Sequence, residues 1–150
     1  MKVGIASDHK GYKMKEKIKK YLTKKGIEYI DYGTNSLENV DYVDYAMALC
    51  KGILDKDIDN GILICGTGIG MSIVANKVKG IMCAKVDDAE EAKLAKEHNH
   101  ANVISFSANQ FEFAARDIVD AYLNSNFLDL ERYNRRIDKI KEIEKKRSYK

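Results

Sequence analysis

The sequence predicts an α/β fold, a three-layer α/β/α sandwich built on a five-stranded parallel sheet. Short apolar segments alternate with segments of helical periodicity along the whole chain, five times over. The segment at 62–65, Ile-Leu-Ile-Cys, is apolar throughout, as parallel strands buried on both faces are. A chain of 150 residues suits one compact domain that buries roughly 70% of its unfolded surface. We therefore predict one domain over residues 1–150.

The apolar segments and the helical periodicity place the elements in order. Strands are predicted at 3–6, 28–32, 62–65, 81–84 and 103–106. Helices are predicted at 14–26, 43–53, 71–78, 89–97 and 111–123. A last amphipathic helix carries Ile137, Ile140 and Ile143 on one side. We expect this C-terminal helix to pack, and a partner subunit is one surface it could pack on.

Composition narrows the class of protein. Hydrophobic residues make up 45% and charged residues 33% of the chain, the balance of a folded soluble protein. No apolar run approaches the ~20 residues of a spanning helix, and charge appears too early for a signal peptide. We expect no membrane partner and a cytoplasmic location. The three cysteines form no C-x-x-C pair, so we expect no zinc site and at least one free thiol.

Positive charge is concentrated at the C-terminus. Residues 131–150 contain nine Lys or Arg and four Asp or Glu. These residues are therefore the first candidates for binding an anionic ligand. Only Tyr133 and Tyr149 could stack on bases, and the isoleucines of this helix are committed to packing, so we expect no nucleic-acid partner.

The densest chemical signal is the glycine loop, Cys65-Gly66-Thr67-Gly68-Ile69-Gly70, between a buried strand and a helix. Successive amides in such a loop can hold an anion or an oxyanion, although a tight turn without a ligand is the alternative. Met71 stands where a dinucleotide fingerprint needs its third glycine. Cys65 at the strand end could remove a proton from carbon beside a carbonyl, or be an inert buried residue. Cys50 and Cys83 are expected in the core.

Two histidines and two arginines are further candidates. We expect His9 and His98 on the ligand-binding side of the sheet as acid–base groups, with helix capping as the alternative for His98. His98 and His100 have no third metal ligand at convincing spacing, so no metal site is expected. Arg132 and Arg136 lie four residues apart on one helix face and could grip a phosphate, or be solvated.

Five short motifs, taken together, are typical of a known enzyme family. They are G-I-A-S-D-H-K-G at 4–11, I-D-Y-G-T at 30–34, C-G-T-G-I-G-M-S at 65–72, H-N-x-x-N at 98–102 and R-x-x-x-R at 132–136. In this order, and over nearly the whole chain, they resemble the type B ribose-5-phosphate isomerase family. That family also contains the subunits of galactose-6-phosphate isomerase.

The resemblance implies a role for each candidate residue. Cys65 would be the base that moves a proton between C1 and C2 of the sugar through a cis-enediol. Enediolate oxygens would be steadied by Thr67 and by the amides of Gly66, Gly68, Ile69 and Gly70. Sugar hydroxyls would bind Asp8 and Asn99, His98 would open the furanose ring, and the phosphate would be held by His9, Arg132 and Arg136. The resemblance also implies no cofactor, and a homodimer or homotetramer whose sites are shared between subunits.

The sequence departs from the family pattern near the expected substrate rim. Asn109 and Met82 stand where typical members have arginine, and His100 stands where they have aspartate. The predicted activity is isomerisation of ribose 5-phosphate to ribulose 5-phosphate, a step of the pentose phosphate pathway. The alternatives are the same reaction on galactose 6-phosphate, allose 6-phosphate or a tetrose phosphate, or a binding module without catalysis. The galactose-6-phosphate isomerase subunits of the resembled family tend to lose the cysteine or the histidine. Because this chain keeps both Cys65 and His98, the resemblance favours the pentose.

Overall fold

Five parallel strands form one sheet in the computed structural model, which describes residues 1–146. The strands are β1 (Val3–Ser7), β2 (Tyr29–Asp31), β3 (Asn60–Cys65), β4 (Cys83–Lys85) and β5 (Val103–Ser107), in the order β2-β1-β3-β5-β4. The helices are α1 (Tyr12–Lys24), α2 (Tyr42–Leu54), α3 (Ile69–Asn76), α4 (Ala89–Asn99), α5 (Glu112–Leu123) and α6 (Glu131–Lys145). The predicted fold class is confirmed. Arg147, Tyr149 and Lys150, which entered the charge and stacking arguments, lie outside the described residues.

Helices cover both faces of the sheet. Side chains of α1, α4 and α5 pack with Ile62, Ile64 and Phe106 in one apolar cluster. Side chains of α2 and α3 pack with Leu63 and Cys65 in a second cluster on the opposite face. This division explains why residues 62–65 of β3 are all apolar, since alternate residues of a strand point to opposite faces and both faces are buried here.

Four elements begin two residues away from their predicted starts: α1, β3 and α3 begin earlier and β4 begins later. The fourth strand was predicted at 81–84, but β4 starts at Cys83 because the Met82 amide donates to Asn102 Oδ1 at 2.8 Å instead of to a strand. The third helix starts at Ile69, before the predicted residue 71. Its N-cap is Gly68, whose φ of +81° suits glycine and turns the chain directly into the helix.

The strand order places a crevice at the centre of the sheet. β1 and β3 are neighbours, with Ser7 opposite Ile64 near their carboxyl ends. The chain leaves β1 into α1 on one face and leaves β3 into α3 on the other. Where the connections from two neighbouring strands depart to opposite faces, a crevice opens beyond the carboxyl ends of the strands, and ligands bind there in open α/β sheets.

No helix within residues 1–146 is long and apolar enough to cross a bilayer.

Candidate active site

Cys65 lies at the carboxyl end of β3, on the wall of this crevice. Its side chain is nearly buried, at 4% exposure, and its Sγ accepts a hydrogen bond from the Gly68 amide at 3.1 Å. A hydrogen bond of this kind stabilises negative charge on the sulfur. The other two thiols are less easily ionised, because burial raises the pKa of Cys50 to about 11 and also raises the pKa of Cys83. Cys65 is therefore the thiol suited to proton transfer.

The loop beyond Cys65 presents hydrogen-bond donors. Within residues 1–146, the amides of Thr67 and Gly70 donate to no protein group. The Ile69 amide donates to Thr67 Oγ1 at 3.1 Å, which leaves the Thr67 hydroxyl hydrogen free to donate elsewhere. Free amides at the start of a helix, with a hydroxyl beside them, can stabilise an oxyanion. The structure thus brings the whole predicted glycine loop together around Cys65.

Asp8 and His9 follow β1 and lie at the same edge of the sheet as Cys65. Asp8 is 6% exposed, and its Oδ1 accepts the Gly11 amide at 3.0 Å. His9 Nδ1 accepts the Val40 amide at 3.2 Å, so in the neutral ring Nε2 carries the hydrogen. An Nε2–H donor is suited to a phosphate or hydroxyl oxygen. The expected placement of His9 on the ligand-binding side is confirmed.

The expected placement of His98 on that side is wrong. His98 ends α4, which leaves the carboxyl edge after β4 and returns to the amino edge, where β5 begins at Val103. In a crossover connection the helix runs antiparallel to the strands, so its last turn lies at the opposite edge from Cys65. Four residue steps along β5 separate the two edges by about 13 Å. Asn99, the next residue, shares this position.

His98 and Arg132 meet on one aromatic ring. The His98 ring stacks on Tyr133 at 4.6 Å between centroids, and the Arg132 guanidinium lies 4.6 Å from the same ring centre. Arg132 and Arg136 are exposed and have no carboxylate within 4.0 Å in the described part of the chain. Arg135, by contrast, pairs with Glu131 at 2.7 Å. Arg132 Nη2 donates to the Tyr133 hydroxyl at 3.2 Å, and guanidinium groups without a carboxylate partner can bind a phosphate.

His98 and His100 face different neighbours. His100 is the C-cap of α4 with a φ of +52°, and its ring stacks on Phe127 at 4.5 Å. Burial, with the charges of Lys96 and Lys141, lowers the pKa of His100. The capping position anticipated for this segment is therefore occupied by His100. Across residues 1–146, no group of three His, Cys, Asp or Glu side chains is placed to hold a metal ion.

Asn109 and Met82, the two positions at which the resemblance predicts arginine, lie at opposite edges of the sheet. Asn109 follows β5, and its amide donates to Ser107 Oγ at 2.9 Å, close to the Cys65 edge. Met82 precedes β4 and lines a cavity of about 720 Å³ with Asn99, Ile140 and Ile143. The missing arginines would therefore have belonged to different halves of the site.

Sequence reasoning missed two serines that contact the glycine loop. Ser105 Oγ donates to the Gly68 carbonyl at 2.6 Å, and Ser107 Oγ donates to the Gly66 carbonyl at 2.7 Å. The signal was present, because these serines alternate with Ile104 and Phe106 in a segment that is otherwise apolar. A polar side chain in a strand buried on both faces requires a hydrogen-bond partner.

The chain matches a known protein family over most of its length. Residues 3–140 match the model of a family described as Ribose/Galactose Isomerase. This chain belongs to the ribose/galactose isomerase family. It is 37% identical to ribose-5-phosphate isomerase B of Escherichia coli (strain K12) over 148 residues, which cover 98% of this chain and 99% of that one.

Solved structures of this family superpose on the chain. Ribose-5-phosphate isomerase B of Clostridium thermocellum is 44% identical with a TM-score of 0.95, covering 99% of this chain and all of that one. Ribose-5-phosphate isomerase B of Mycoplasma genitalium, solved with bound ribulose-5-phosphate, is 40% identical with a TM-score of 0.91, and 97% of each chain is covered. In this ribose/galactose isomerase, the predicted site residues thus form two groups at opposite edges of the sheet.

Proposed function

We propose that the chain is an aldose–ketose isomerase of phosphorylated sugars, and that ribose 5-phosphate and ribulose 5-phosphate are its substrate pair. The observation that carries the proposal is the Cys65 sulfur, held by the Gly68 amide beside the unpartnered amides of Thr67 and Gly70. The ribulose-5-phosphate bound to the Mycoplasma genitalium relative supports the choice of pentose. A cytoplasmic location and a role in the pentose phosphate pathway stay predictions.

The proton transfer follows from the loop geometry. The Cys65 thiolate takes the proton from C2 of the open-chain aldose, and the C–H electrons form the C1–C2 double bond while O1 takes up negative charge. The amides of Thr67 and Gly70 and the Thr67 hydroxyl stabilise this enediolate. The proton held by Cys65 returns to C1, O2 loses its proton to become the ketone, and O1 regains one as a hydroxyl.

Ring opening is assigned to His98. The imidazole transfers a proton to the ring oxygen of the furanose as the C1 bond to that oxygen breaks, and the anomeric hydroxyl loses its proton to give the aldehyde. One nitrogen of a neutral imidazole can donate a proton while the other accepts one, which suits this exchange. Asn99 and Asp8 would bind the sugar hydroxyls, and His9, Arg132 and Arg136 would hold the phosphate.

These roles require two copies of the chain. Since His98 and Cys65 lie at opposite edges of one sheet, the His98 that serves a given Cys65 must come from another copy. Exposed apolar side chains lie near Cys65 and near His98. Those near the glycine loop are 42% to 55% exposed and are Val43, Met47, Ile69 and Ile73. Those near His98 are Ile140 and Ile143, at 39% and 57% exposure. A second copy that buries these side chains supports a homodimer or homotetramer with shared sites.

The test is turnover in D2O with aldose phosphates of four, five and six carbons and with unphosphorylated ribose. We expect fastest conversion of ribose 5-phosphate, with deuterium from solvent at C1 of the ketose, because Cys65 exchanges its proton with water between removal and return. Faster turnover of a hexose or tetrose phosphate would correct the substrate, with Asn109 and Met82 as the first residues to examine. A folded oligomer that converts none of them would contradict the proposed activity.

A further inference from the structure

We propose that Ser105 and Ser107 are positioning residues, whose hydroxyls hold the carbonyls of Gly68 and Gly66 and thereby fix the loop amides around Cys65. The inference rests on the proposed function for its kinetic consequences. The hydrogen bonds themselves are independent of the substrate. They join β5 to the loop that follows β3.

Ser105 bonds to the same residue that contacts the Cys65 sulfur. Its side chain is fully buried on the internal strand β5, on the face of the sheet that α3 covers, as the alternation with Ile104 and Phe106 requires. Its hydroxyl donates to the Gly68 carbonyl at 2.6 Å, while the Gly68 amide donates to Cys65 Sγ at 3.1 Å. The residue that contacts the sulfur is thus fixed at its amide and at its carbonyl.

Ser107 holds Gly66 in a defined direction. Its Oγ accepts the Asn109 amide at 2.9 Å, so its own hydrogen is available to the Gly66 carbonyl at 2.7 Å. In a trans peptide the N–H points opposite to the C=O. Fixing the Gly66 carbonyl toward β5 therefore directs the Thr67 amide away from β5, which leaves that donor free for an oxyanion.

The loop needs such support because of its composition. Three of the five residues at 66–70 are glycine, which has weak backbone preferences of its own. The loop also lies directly against β5: a Cβ at Gly68 would come within 2.9 Å of the Phe106 backbone. Hydrogen bonds across so close a contact select one orientation of each peptide plane. Preorganised donors of this kind are what stabilise charge in a transition state.

The experiment compares Ser105→Ala, Ser107→Ala and the double variant with Ser125→Ala. Ser125 donates to the Ala121 carbonyl at 2.6 Å near the end of α5, so the control removes the same kind of bond far from the loop. We expect kcat to fall about tenfold in each loop variant with KM within about twofold of wild type, since a misplaced donor affects the transition state. Ser107→Thr, which keeps the hydroxyl, is expected to retain the wild-type kcat.

Alkylation by iodoacetamide gives a second measurement that needs no sugar. With its Gly68 amide displaced, Cys65 is expected to react several-fold more slowly at neutral pH in Ser105→Ala, quantified at Cys65 by peptide mass spectrometry. Thermal unfolding verifies that each variant is folded, and Ser107→Ala carries the test if Ser105→Ala does not fold.

The outcomes separate this inference from the proposed function. If the double variant keeps wild-type kcat and alkylation rate, or if Ser125→Ala loses as much, the inference is overturned. A Ser107→Thr variant as slow as Ser107→Ala also overturns the role of that hydroxyl. If the wild type converts no sugar phosphate while Ser105→Ala still slows alkylation, the proposed function fails and the positioning role stands.

Discussion

The two edges of the sheet carry different kinds of functional group. At the carboxyl edge, Cys65 and Asp8 are only 4% and 6% exposed, and each accepts a hydrogen bond from a backbone amide of its own chain. At the amino edge, Asn99, Arg132 and Arg136 are exposed. Groups that stabilise developing charge act best when their dipoles are fixed beforehand, whereas long cationic side chains can close on a phosphate as it arrives. Hydrogen bonds within one chain therefore fix the groups of the carboxyl edge, whereas the cationic groups of the amino edge are exposed and can change conformation.

Removal of the proposed base, Cys65, is expected to have the largest effect on activity. Cys65→Ala is expected to lower kcat by about 10³- to 10⁴-fold, the upper range for general base catalysis, while the sugar phosphate still binds. Steady-state kinetics and binding calorimetry measure the two quantities. Cys83→Ala, at a half-buried cysteine in β4, is the matched control and should remain active. Turnover of Cys65→Ala within a few-fold of wild type would remove Cys65 as the base.

Mixing two inactive variants tests whether the edges meet between copies. Cys65→Ala and His98→Ala are each expected to be nearly inactive alone. After unfolding and refolding together in equal amounts, half of the dimers are mixed, and each mixed dimer has one intact shared site, so about a quarter of wild-type activity should return. If Cys65 and His98 worked within one chain, mixing would restore nothing.

An ion pair between Lys15 and Asp31 lies at the end of β2, and its contribution can be measured as a change in the free energy of unfolding. Lys15 is fully buried, and its Nζ contacts Asp31 Oδ2 at 2.6 Å, while Asp31 Oδ1 accepts the Gly33 amide at 2.8 Å. Asp31→Asn removes the shorter of the two carboxylate contacts of the Lys15 ammonium, leaves only Glu16 Oε2 at 3.3 Å, and is expected to lower the free energy of unfolding by about 3 kcal/mol. Glu16→Gln, at a more exposed carboxylate near Lys15, should cost less than about 1 kcal/mol.

The same pair predicts a dependence of stability on pH. Burial opposes ionisation of Asp31, but hydrogen bonds from Lys15, Lys19 and the Gly33 amide outweigh it and lower the pKa of Asp31. A carboxyl whose pKa is lowered on folding stabilises the fold above its unfolded pKa, and this contribution is lost as pH falls through the folded value. In urea unfolding, the difference in the free energy of unfolding between wild type and Asp31→Asn should therefore shrink from pH 7 to pH 3. A difference that stays constant would contradict the assignment.

The smallest effect concerns the phosphate. Arg136→Ala is expected to raise KM for ribose 5-phosphate about tenfold, the loss of one hydrogen bond to a charged group, with little change for unphosphorylated ribose. Arg135→Ala is the control, because Arg135 already pairs with Glu131 at 2.7 Å on the same helix. Equal losses for the phosphorylated and unphosphorylated sugars would contradict the phosphate role of Arg136.

Local patterns predicted most of the fold. Apolar strands and amphipathic helices alternate in the sequence as they do in the structure, because burial on one or two faces dictates which positions are apolar. The starts of β4 and α3 were misplaced, since the bond from the Met82 amide to Asn102 Oδ1 and the turn at Gly68 depend on groups outside those segments. The glycine loop was found because its spacing is itself the signal.

The order of amino acids alone predicts five strand–helix units, Cys65 and the glycine loop after a buried strand, and a cationic C-terminal helix. Tertiary folding places β5 between β3 and β4, which brings Ser105 and Ser107 into contact with the loop. It also brings Arg132 and His98 together on the Tyr133 ring. The position of His98 at the opposite edge from Cys65, in contrast, follows from the predicted order of strands and helices, because a crossover helix runs antiparallel to the strands. Periodicity records which side of an element is buried, whereas contacts between distant segments depend on strand order, which no local pattern encodes.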